Sequence, residues 1–538
     1  MIKKDIKKID IDSLKQRYAV DEVKNFIKNK DNISGKIVVL YGLRRTGKTT
    51  IMEQVISAYQ KKGITTAYYE IESADTLHDI NTKIIEEKNL GTSLICLDEI
   101  TKAQDFITNS APLSDVFAKE GIQIIVTGTD SLMFRFAEES ELYDRIKKIN
   151  TTHISFEEHC FVLDTNDMDD YIEFGGLMKK GEKSERIVND YVSACKYLDS
   201  AVAENISRSI KKKPYDDCLD CLSLTELKTI IEKLVEKYSG KFDKKTLSKP
   251  LTSASVLFAS NKAQENDILD EIQIQRLVQE KDDIVKDFLK EINADKKIEH
   301  TITDIMVDTL KSYLIDMHVL SGTLQKTYRY EQGLGWRTDP DTHEYYLVQP
   351  AIKFYHLQKG IEFIENEDYY RDLTNQQKQF LKKKLDEKIK GDMTEQIVLF
   401  DVGKELSLSE YDVCKPVFYK DGSRIGEYDM LIYSHHHNKY WGFEIKHTTN
   451  FFSGQDKHLV NPFIRNLIDS KYGKRENVCV LYRGESGVSP TGTIYLNISE
   501  FLKKIHLYKD MDRVFYDMCK NLTKLKVISQ GNNISFFR

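Results

Sequence analysis

At 538 residues the chain is long enough for about three domains, each able to bury its own core. Its composition is that of an ordinary globular protein, with 79 lysines and arginines against 85 aspartates and glutamates. No apolar run is long enough to span a bilayer, and eight cysteines are too few for a disulfide framework in so long a chain. We therefore expect a cytoplasmic protein with no membrane partner.

The charge is unevenly distributed along the chain. Residues 371–538 carry an excess of basic side chains, whereas residues 1–370 are acidic overall. A mildly basic C-terminal third permits a nucleic-acid partner without requiring one.

A short amphipathic helix is predicted at 19–27. The apolar run that follows it ends in a basic, glycine-containing loop. The run predicts a strand, and Gly42-Leu-Arg-Arg-Thr-Gly-Lys-Thr-Thr50 matches Gly-x4-Gly-Lys-Ser/Thr, the phosphate-binding loop. Backbone N–H groups and a helix N-terminus surround the phosphates in such a loop. We expect Lys48 to hold the β- and γ-phosphates of ATP and Thr49 to ligate Mg²⁺. The nucleotide-binding residues expected in the loop are Gly42, Arg45, Thr46, Gly47, Lys48, Thr49 and Thr50.

Further short apolar strands alternate with helical stretches after this loop. Such alternation is typical of a parallel sheet covered on both faces, in which the ligand lies at the carboxyl ends of the strands. The strands are predicted at 64–70, 93–97, 122–126 and 149–154.

Polar residues at two of these strand ends suit ATP hydrolysis. Asp98 can hold the Mg²⁺ through water, and Glu99 can act as general base on the attacking water. Thr127 or Thr129, after the next strand, can hold that water or the γ-phosphate. The alternative is that Asp98 and Glu99 only cap the following helix, but the phosphate-binding loop upstream favours catalysis.

The order and spacing of these motifs resemble the prokaryotic "archaeal ATPase" family, within the additional-strand class of AAA+ and STAND-like ATPases. The resemblance implies that Arg145, with Arg135 as substitute, serves as sensor or arginine finger. The alternative is a solvated surface arginine. The motifs that carry the resemblance are Gly-Leu-Arg-Arg-Thr-Gly-Lys-Thr-Thr, Leu-Asp-Glu-Ile, Val-Thr-Gly-Thr, Asp144-Arg145 and His153-Ile-Ser-Phe-Glu-Glu158.

The middle of the chain, from about 161 to 297, is predicted to be helical and charged, including runs at 222–237 and 267–292. Within it, Tyr171-Ile-Glu-Phe-Gly-Gly176 resembles the lid entry of the same family, although the usual proline is missing. The stretches at 302–317, 319–322, 324–330 and 345–348 indicate a helix followed by two strands joined by a long polar turn, which is a winged-helix pattern. A winged helix can bind DNA, but we favour packing as the role of its tyrosines and leucines.

A second constellation of charged residues lies between 371 and 538. Because strand side chains alternate, Glu444 and Lys446 share one face of a predicted strand at 441–446. Asp429, on the neighbouring strand, could join Glu444 to bind one divalent cation, while Lys446 steadies the attacking hydroxide or the scissile phosphate.

These residues belong to an ordered set of predicted elements: a helix at 381–400 with Glu395, the hairpin with Asp429, Glu444 and Lys446, a helix near 461–470 and a strand at 477–482. The set resembles the PD-(D/E)XK nuclease core, which implies that Glu395 is a further metal ligand. Tyr428 replaces the proline for which the motif is named. Such domains can also keep their carboxylates for binding alone.

We therefore expect a multidomain α/β protein. Its cofactors are ATP and Mg²⁺, and its expected function is ATP hydrolysis coupled to a metal-dependent nuclease acting on nucleic acid, expected to be DNA, in defence against mobile DNA. The alternative is an ATP-dependent switch or scaffold that only binds DNA or a protein partner; a homo-oligomer stays open. The expected units are a P-loop ATPase core at 1–160, a helical lid at 161–296, a winged-helix-like unit at 297–370 and a restriction-endonuclease-like α/β domain at 371–538.

Overall fold

The described residues of the chain form two β-sheets with helices packed against them. In this part of the chain no helix is long and apolar enough to cross a bilayer. The computed structural model describes residues 1–4, 11–28, 35–178, 187–238, 289, 292–366, 374–452, 454–490, 492–520, 526–527 and 535–536.

The first sheet has six strands in the order β1-β3-β4-β5-β2-β6. All neighbours are parallel except β1, which was not expected and runs antiparallel to β3. The carboxyl end of β2 therefore lies between those of β5 and β6, at the edge where a parallel sheet binds its ligand. The strands are β1 (Ile2–Lys3), β2 (Ile37–Tyr41), β3 (Thr66–Glu70), β4 (Leu94–Asp98), β5 (Gln123–Gly128) and β6 (Ile146–Asn150).

Strand β2 shows why this sheet is covered on both faces. Ile37 and Val39 belong to one apolar core, and Val38 and Leu40 belong to another on the opposite face. All four side chains are buried. A continuous β-branched and leucine run is what a strand buried on both faces requires.

The fifth predicted strand lies earlier than the sequence indicated. The prediction was 149–154, but β6 ends at Asn150, where it pairs with Tyr41. Lys147 and Lys148 are not buried, so this edge strand carries no apolar run. The rest of the predicted range, 151–154, belongs to a buried irregular segment that follows the strand.

Ten helices precede residue 239 within the described residues, besides short 3₁₀ and π turns. Helices α7 to α10 lie in the region 161–296 that the sequence predicted to be helical. The helix predicted at 267–292 lies outside the described residues, apart from 289 and 292. The ten are α1 (Tyr18–Lys28), α2 (Lys48–Gln60), α3 (Leu77–Asn89), α4 (Phe106–Asn109), α5 (Ser131–Glu139), α6 (Phe156–Leu163), α7 (Met168–Phe174), α8 (Tyr191–Tyr197), α9 (Glu204–Lys211) and α10 (224–238).

The segment with the winged-helix pattern contains one helix and three antiparallel strands. The stretches at 319–322 and 324–330 lie in one long strand, because Gly322 stays in register opposite Tyr345 and does not interrupt the ladder. A further strand, β8, lies in the predicted polar turn. The elements of the segment are α11 (Asp304–Asp316), β7 (Leu320–Glu331), β8 (Gly335–Thr338) and β9 (Thr342–Leu347), and the helices α12 (Pro350–Asn366) and α13 (Asn375–Glu405) follow it.

The second sheet has twelve strands and includes this segment. Its order is β18-β17-β15-β16-β14-β13-β12-β10-β7-β8, with β11 on β10 and β9 on β7. Strand β7 runs parallel to β10, so residues 320–331 and 411–420 belong to one sheet. The remaining elements are β10 (Tyr411–Lys420), β11 (Ser423–Glu427), β12 (Met430–Ser434), β13 (Lys439–Lys446), α14 (Pro462–Tyr472), β14 (Lys474–Tyr482), β15 (Gly487–Val488), β16 (Ile494–Asn497), α15 (Ile498–Tyr508), α16 (Met511–Cys519), β17 (Lys526–Val527) and β18 (Ser535–Phe536).

The helix α13 joins the two halves of the molecule. Its buried apolar residues, such as Leu385 and Val398, share one core with the strands of the second sheet. Phe156 of α6 and Tyr171 of α7 belong to the same core. The chain after β6 is therefore packed against both the first sheet and the C-terminal unit.

His356, on α12, is a buried histidine without a hydrogen-bond partner for either ring nitrogen in the described part of the chain. Burial lowers the pKa of its imidazole to about 4. The unfolded chain takes up this proton near pH 6.5 and the folded chain does not. The contribution of His356 to stability is therefore complete above pH 6.5 and is lost as the pH falls toward 4.

The variant His356→Phe should be less sensitive to acid than the parental protein. Between pH 7 and pH 5 its free energy of unfolding should fall by about 2 kcal/mol less, because the cost of keeping the ring neutral is removed. Urea unfolding at the two pH values measures this difference. His436→Phe, at an exposed turn position, should behave like the parental protein. An equal fall in the free energy of unfolding between pH 7 and pH 5 in His356→Phe and in the parental protein would contradict a buried, neutral His356.

Candidate functional site

The loop between β2 and α2 has the backbone of a phosphate-binding loop. Arg45 and Gly47 adopt positive φ angles of 65° and 87°, so the chain turns sharply before α2 begins at Lys48. Gly47 caps α2 without a side-chain hydrogen bond. The first N–H groups of the helix are thus left to an anion, which the helix dipole favours.

Lys48 is held inside this loop. Its ammonium donates to the carbonyl oxygens of Gly42 at 2.8 Å and Leu43 at 2.7 Å. Burial lowers the pKa of Lys48 to about 8, although Glu99 and Asp98 act in the opposite direction. A negatively charged phosphate beside Lys48 would favour the charged form.

Asp98, at the end of β4, accepts hydrogen bonds from three hydroxyl groups. Thr49 donates to it at 3.1 Å and Tyr68 at 3.0 Å, and Thr127 also donates to it. The first contact joins the two residues expected to hold Mg²⁺. Thr127 is fully buried and bound to Asp98, so it supports this carboxylate and does not face the pocket.

Glu99 and Thr129 lie together at the same sheet edge. Glu99 has a positive φ of 58°, which turns its side chain out of the strand direction. Its carboxylate accepts from the Thr129 hydroxyl at 2.9 Å. Both line one cavity of about 420 Å³ together with the loop. The other lining residues are Arg44, Arg45, Gly47, Lys48, Thr49, Thr50, Lys102 and Met178.

The structure does not bring Arg145 to this pocket. Arg145 precedes β6, so it lies at the amino end of the strand, about 15 Å from the edge that carries the loop. Its guanidinium lies 3.1 Å from Asp115. Arg135 pairs with Glu139 at 3.0 Å and with Asp316. Neither arginine reaches the pocket of its own chain, because both are used in structural ion pairs.

Two residues of α9 that could not be predicted from the sequence contact the edge of the pocket. Arg208 of α9 donates to both carboxylate oxygens of Asp130, at 2.8 and 3.2 Å. Asn205, one turn earlier, donates to the backbone oxygen of Thr129 at 2.6 Å. The spacing of 78 residues between Arg208 and Asp130 follows no motif, so no sequence signal could have paired them.

Arg17 is a further missed residue, and it lies against the phosphate-binding loop. Its guanidinium donates to the Thr46 carbonyl at 3.1 Å and to Glu158 at 2.7 Å. A side chain at Gly47 would collide with this guanidinium, which is a second reason for a glycine there. Arg17 and Glu158 are both buried, so the pair fixes the loop to α6.

The second constellation is assembled at one end of β12 and β13. Met430, the first residue of β12, pairs with Phe443, so the preceding Asp429 faces Glu444 across the two strands. Lys446 donates to Asp429 at 3.0 Å and to Glu444 at 2.6 Å. The backbone N–H of Ile445 donates to Asp429 at 2.7 Å. The three residues that the sequence grouped therefore form one cluster.

The electrostatics of this cluster are those of two buried carboxylates sharing one cation. Burial raises the pKa of Glu444, and the nearby Asp429 raises it further. Burial also opposes ionisation of Asp429, but Lys446 and Lys415 hold the pKa of Asp429 below its ordinary value. Two carboxylates this close repel each other unless a proton or a cation lies between them.

Glu395 lies in the same pocket but has its own counter-ion. Lys415 of β10 donates to Glu395 and lies 3.5 Å from Glu427. Burial raises the pKa of Glu395, although Lys415 acts against this rise. Lys415 could not be identified from the sequence, because its role depends on β10 lying beside α13.

The pocket that holds these residues has a volume of about 560 Å³. Among the described residues, no three His, Cys, Asp or Glu side chains lie together as a metal-binding group. Glu395, Asp429 and Glu444 therefore line one pocket without forming a three-ligand group, and Lys415 and Lys446 are their counter-ions. Asp429 and Glu444 still fit a hard cation, because one buried Glu444 oxygen has no hydrogen-bond partner among the described residues.

Comparison with known proteins gives a family match only for the part of the chain that carries the first site. Residues 34–160 match a family model described as an AAA domain. No curated protein matches the chain. The matched range covers β2 to β6, with the phosphate-binding loop, Asp98 and Glu99. The chain therefore contains an AAA-type P-loop domain, which supports ATP binding and hydrolysis.

Solved structures that resemble the chain are remote. A DNA replication initiation factor is 13% identical, with 55% of this chain and 86% of that chain covered and a TM-score of 0.20. AMPPCP-bound DnaA from Aquifex aeolicus is 15% identical, with 55% and 93% covered and a TM-score of 0.22. The S. cerevisiae Hsp104–ADP complex is 12% identical, with 72% and 50% covered and a TM-score of 0.25. At these TM-scores the likeness carries no argument, so the assignment depends on the family model.

Proposed function

We propose that this chain is an ATPase whose nucleotide cycle acts on a metal-dependent nuclease-like site in its C-terminal unit. The observation that carries the proposal is the pocket of about 560 Å³ that Glu395, Asp429, Glu444 and Lys446 line. A helix and two adjacent strands contribute them. Carboxylates and a lysine on neighbouring strands are the groups that metal-assisted phosphodiester hydrolysis uses.

At the nucleotide site, each residue has a role that its contacts support. Lys48 binds the β- and γ-phosphates, and Thr49 and Asp98 hold Mg²⁺. Glu99 accepts the proton of the attacking water, while Thr129 orients the Glu99 carboxylate through a 2.9 Å hydrogen bond. The Thr127 hydroxyl donates to Asp98 and so holds this carboxylate in position.

At the second site, Asp429 and Glu444 would hold a divalent cation. The bound ion would supply Lewis-acid charge to a phosphate and lower the pKa of a water molecule. Lys446, which contacts both carboxylates, would then be free to steady the phosphate. Glu395 would orient the ion-binding carboxylates from α13.

The substrate that we propose is nucleic acid, with DNA as the expected form and defence against mobile DNA as the context. Basic side chains line the pocket beside the carboxylates, where they can contact a phosphate backbone. The lining residues with basic side chains are Lys388, Lys415, Arg424, Lys446, His447, Lys457 and His458.

The second candidate function is an ATP-dependent switch whose C-terminal pocket only binds DNA or a protein. The ion pairs favour it, because Lys446 neutralises Asp429 and Glu444, and Lys415 neutralises Glu395. A pocket satisfied by its own lysines needs no metal ion.

Incubation of the purified full-length protein with labelled DNA or RNA and Mg²⁺ or Mn²⁺ distinguishes the two. The nuclease proposal expects cleavage that depends on the divalent ion and changes on addition of ATP. Nucleic-acid binding without cleavage under every condition would favour the switch. The full chain should be used, because β7 pairs with β10 and a fragment from 371 would expose that strand edge.

A further inference from the structure

A buried segment, residues 151–158, lies between the two proposed sites. It follows β6 and continues into α6, and seven of its eight side chains are buried. It has no regular structure before α6, so its polar groups must find partners elsewhere. Those partners lie on both sides, in the phosphate-binding loop and in α13.

On one side the segment is bound to the phosphate-binding loop. The Thr151 and Thr46 hydroxyls are 3.0 Å apart, and the Leu43 N–H donates to the Thr152 hydroxyl at 3.3 Å. A Cβ at Gly42 would lie 2.7 Å from the Thr152 nitrogen, so only glycine permits this approach. Any change of the loop backbone therefore acts directly on residues 151 and 152.

On the other side the segment is bound to Asp401 of α13. The His153 imidazole lies 2.9 Å from one Asp401 oxygen, and the Phe156 N–H donates to the other oxygen at 3.0 Å. The rings of His153 and Phe400 pack edge to face with centroids 4.5 Å apart. Asp401 is 4% exposed, so both of its oxygens depend on these partners.

The helix that carries Asp401 also carries Glu395 of the second pocket. The two residues are six positions apart on α13, which is about 9 Å along a helix axis. A continuous helix moves as a rigid element over this length, so a displacement at Asp401 changes the position of the Glu395 carboxylate relative to Lys415.

We propose that His153 and Asp401 are positioning residues through which the nucleotide bound at the phosphate loop sets the position of Glu395 in the C-terminal pocket. The inference deepens the proposed function and depends on its ATP-binding part. The source of the change is Lys48. It donates to the carbonyls of Gly42 and Leu43, and a phosphate would compete for the same ammonium protons. Leu43 is also the residue whose N–H holds Thr152.

Hydrogen–deuterium exchange on the full-length protein tests the proposal. With Mg²⁺ and the non-hydrolysable ATP analogue AMPPCP, peptides from 392–405 should exchange at rates that differ by about tenfold from those without nucleotide. In Asp401→Asn the AMPPCP affinity should stay within about threefold of the parental value, because no Asp401 atom touches the loop, and the exchange change in 392–405 should disappear. His153→Asn removes the imidazole that contacts Asp401, so it should give the same result.

Glu405→Gln is the matched control on the same helix. Its carboxylate accepts from His506 at 3.0 Å and Lys509 at 2.9 Å in the C-terminal unit. This variant should keep the nucleotide-dependent exchange change. A parental protein that binds AMPPCP without any change in 392–405, or an unchanged response in Asp401→Asn, would overturn the inference and leave the ATPase proposal intact. Absence of AMPPCP binding to the parental protein would overturn both.

Discussion

Replacing Glu99 with glutamine should slow ATP hydrolysis by a factor of about 10²–10⁴ and leave ATP binding nearly unchanged. Glutamine keeps the shape of the side chain and can still accept from the Thr129 hydroxyl, which lies 2.9 Å from the Glu99 carboxylate. It cannot take a proton from water. The effect should therefore fall on the rate of the chemical step alone, measured as phosphate release at saturating ATP.

Lys48→Ala is the companion variant, because it removes a different contribution. Without the ammonium that binds the β- and γ-phosphates, both binding and turnover should be lost. Titration with a fluorescent ATP analogue separates the two variants, since Glu99→Gln should bind and Lys48→Ala should not. Hydrolysis by Glu99→Gln at the parental rate would show that Glu99 is not the base.

The second large effect is expected at Glu444. Glu444→Gln should abolish nucleic-acid cleavage by the full-length protein, because one of the two carboxylates that would hold the divalent ion is lost. Asp429→Asn should have the same effect. Lys446→Ala should retain the ion and still lose cleavage, since its proposed role is to steady the phosphate. ATP hydrolysis should persist in all three variants, because their side chains lie outside the nucleotide pocket.

Asp469→Asn provides the matched control for these substitutions. Asp469 lies in the same unit on α14, where it accepts from the Tyr440 hydroxyl at 2.6 Å, outside the carboxylate pocket. It should cleave at the parental rate. If Glu444→Gln still cleaves nucleic acid, Glu444 is not part of the cleavage site, whatever the cleavage rate of Asp469→Asn.

The nucleotide-binding half of the molecule could be predicted because its information is local. A β-branched run followed by Gly42 to Thr50 specifies strand, loop and helix within fifteen residues, and the AAA-type ATPase class is confirmed by the family match over 34–160. Asp98 and Glu99 were assigned from their position at a strand end. Their catalytic roles, and the nuclease-like domain, stay predictions.

The parts that sequence could not supply depend on long-range contacts. Arg17 contacts the backbone of the phosphate-binding loop and Arg208 contacts Asp130 beside the pocket, each from an element whose distance along the chain follows no motif. Lys415 acquires its role only because β10 lies beside α13. Arg145 was assigned by its order in a motif series, but the direction of β6 places it at the opposite edge of the sheet.

The pairing of β7 with β10 is the feature of the fold that changes the experiments. The sequence divided the chain at 370, where charge and helical pattern change. The structure joins residues 320–331 to 411–420 in parallel, across about 90 residues of chain. Parallel pairing over such a separation leaves no local signal in either strand.

Calorimetric titration of the full-length, nucleotide-free protein with Mn²⁺ tests whether the C-terminal pocket binds a divalent ion. We expect heat of binding in the parental protein and in Lys48→Ala, and its loss in Asp429→Ala and Glu444→Ala. No heat in the parental protein, or unchanged heat in Asp429→Ala, would contradict a metal-dependent C-terminal site and leave only a binding pocket controlled by ATP.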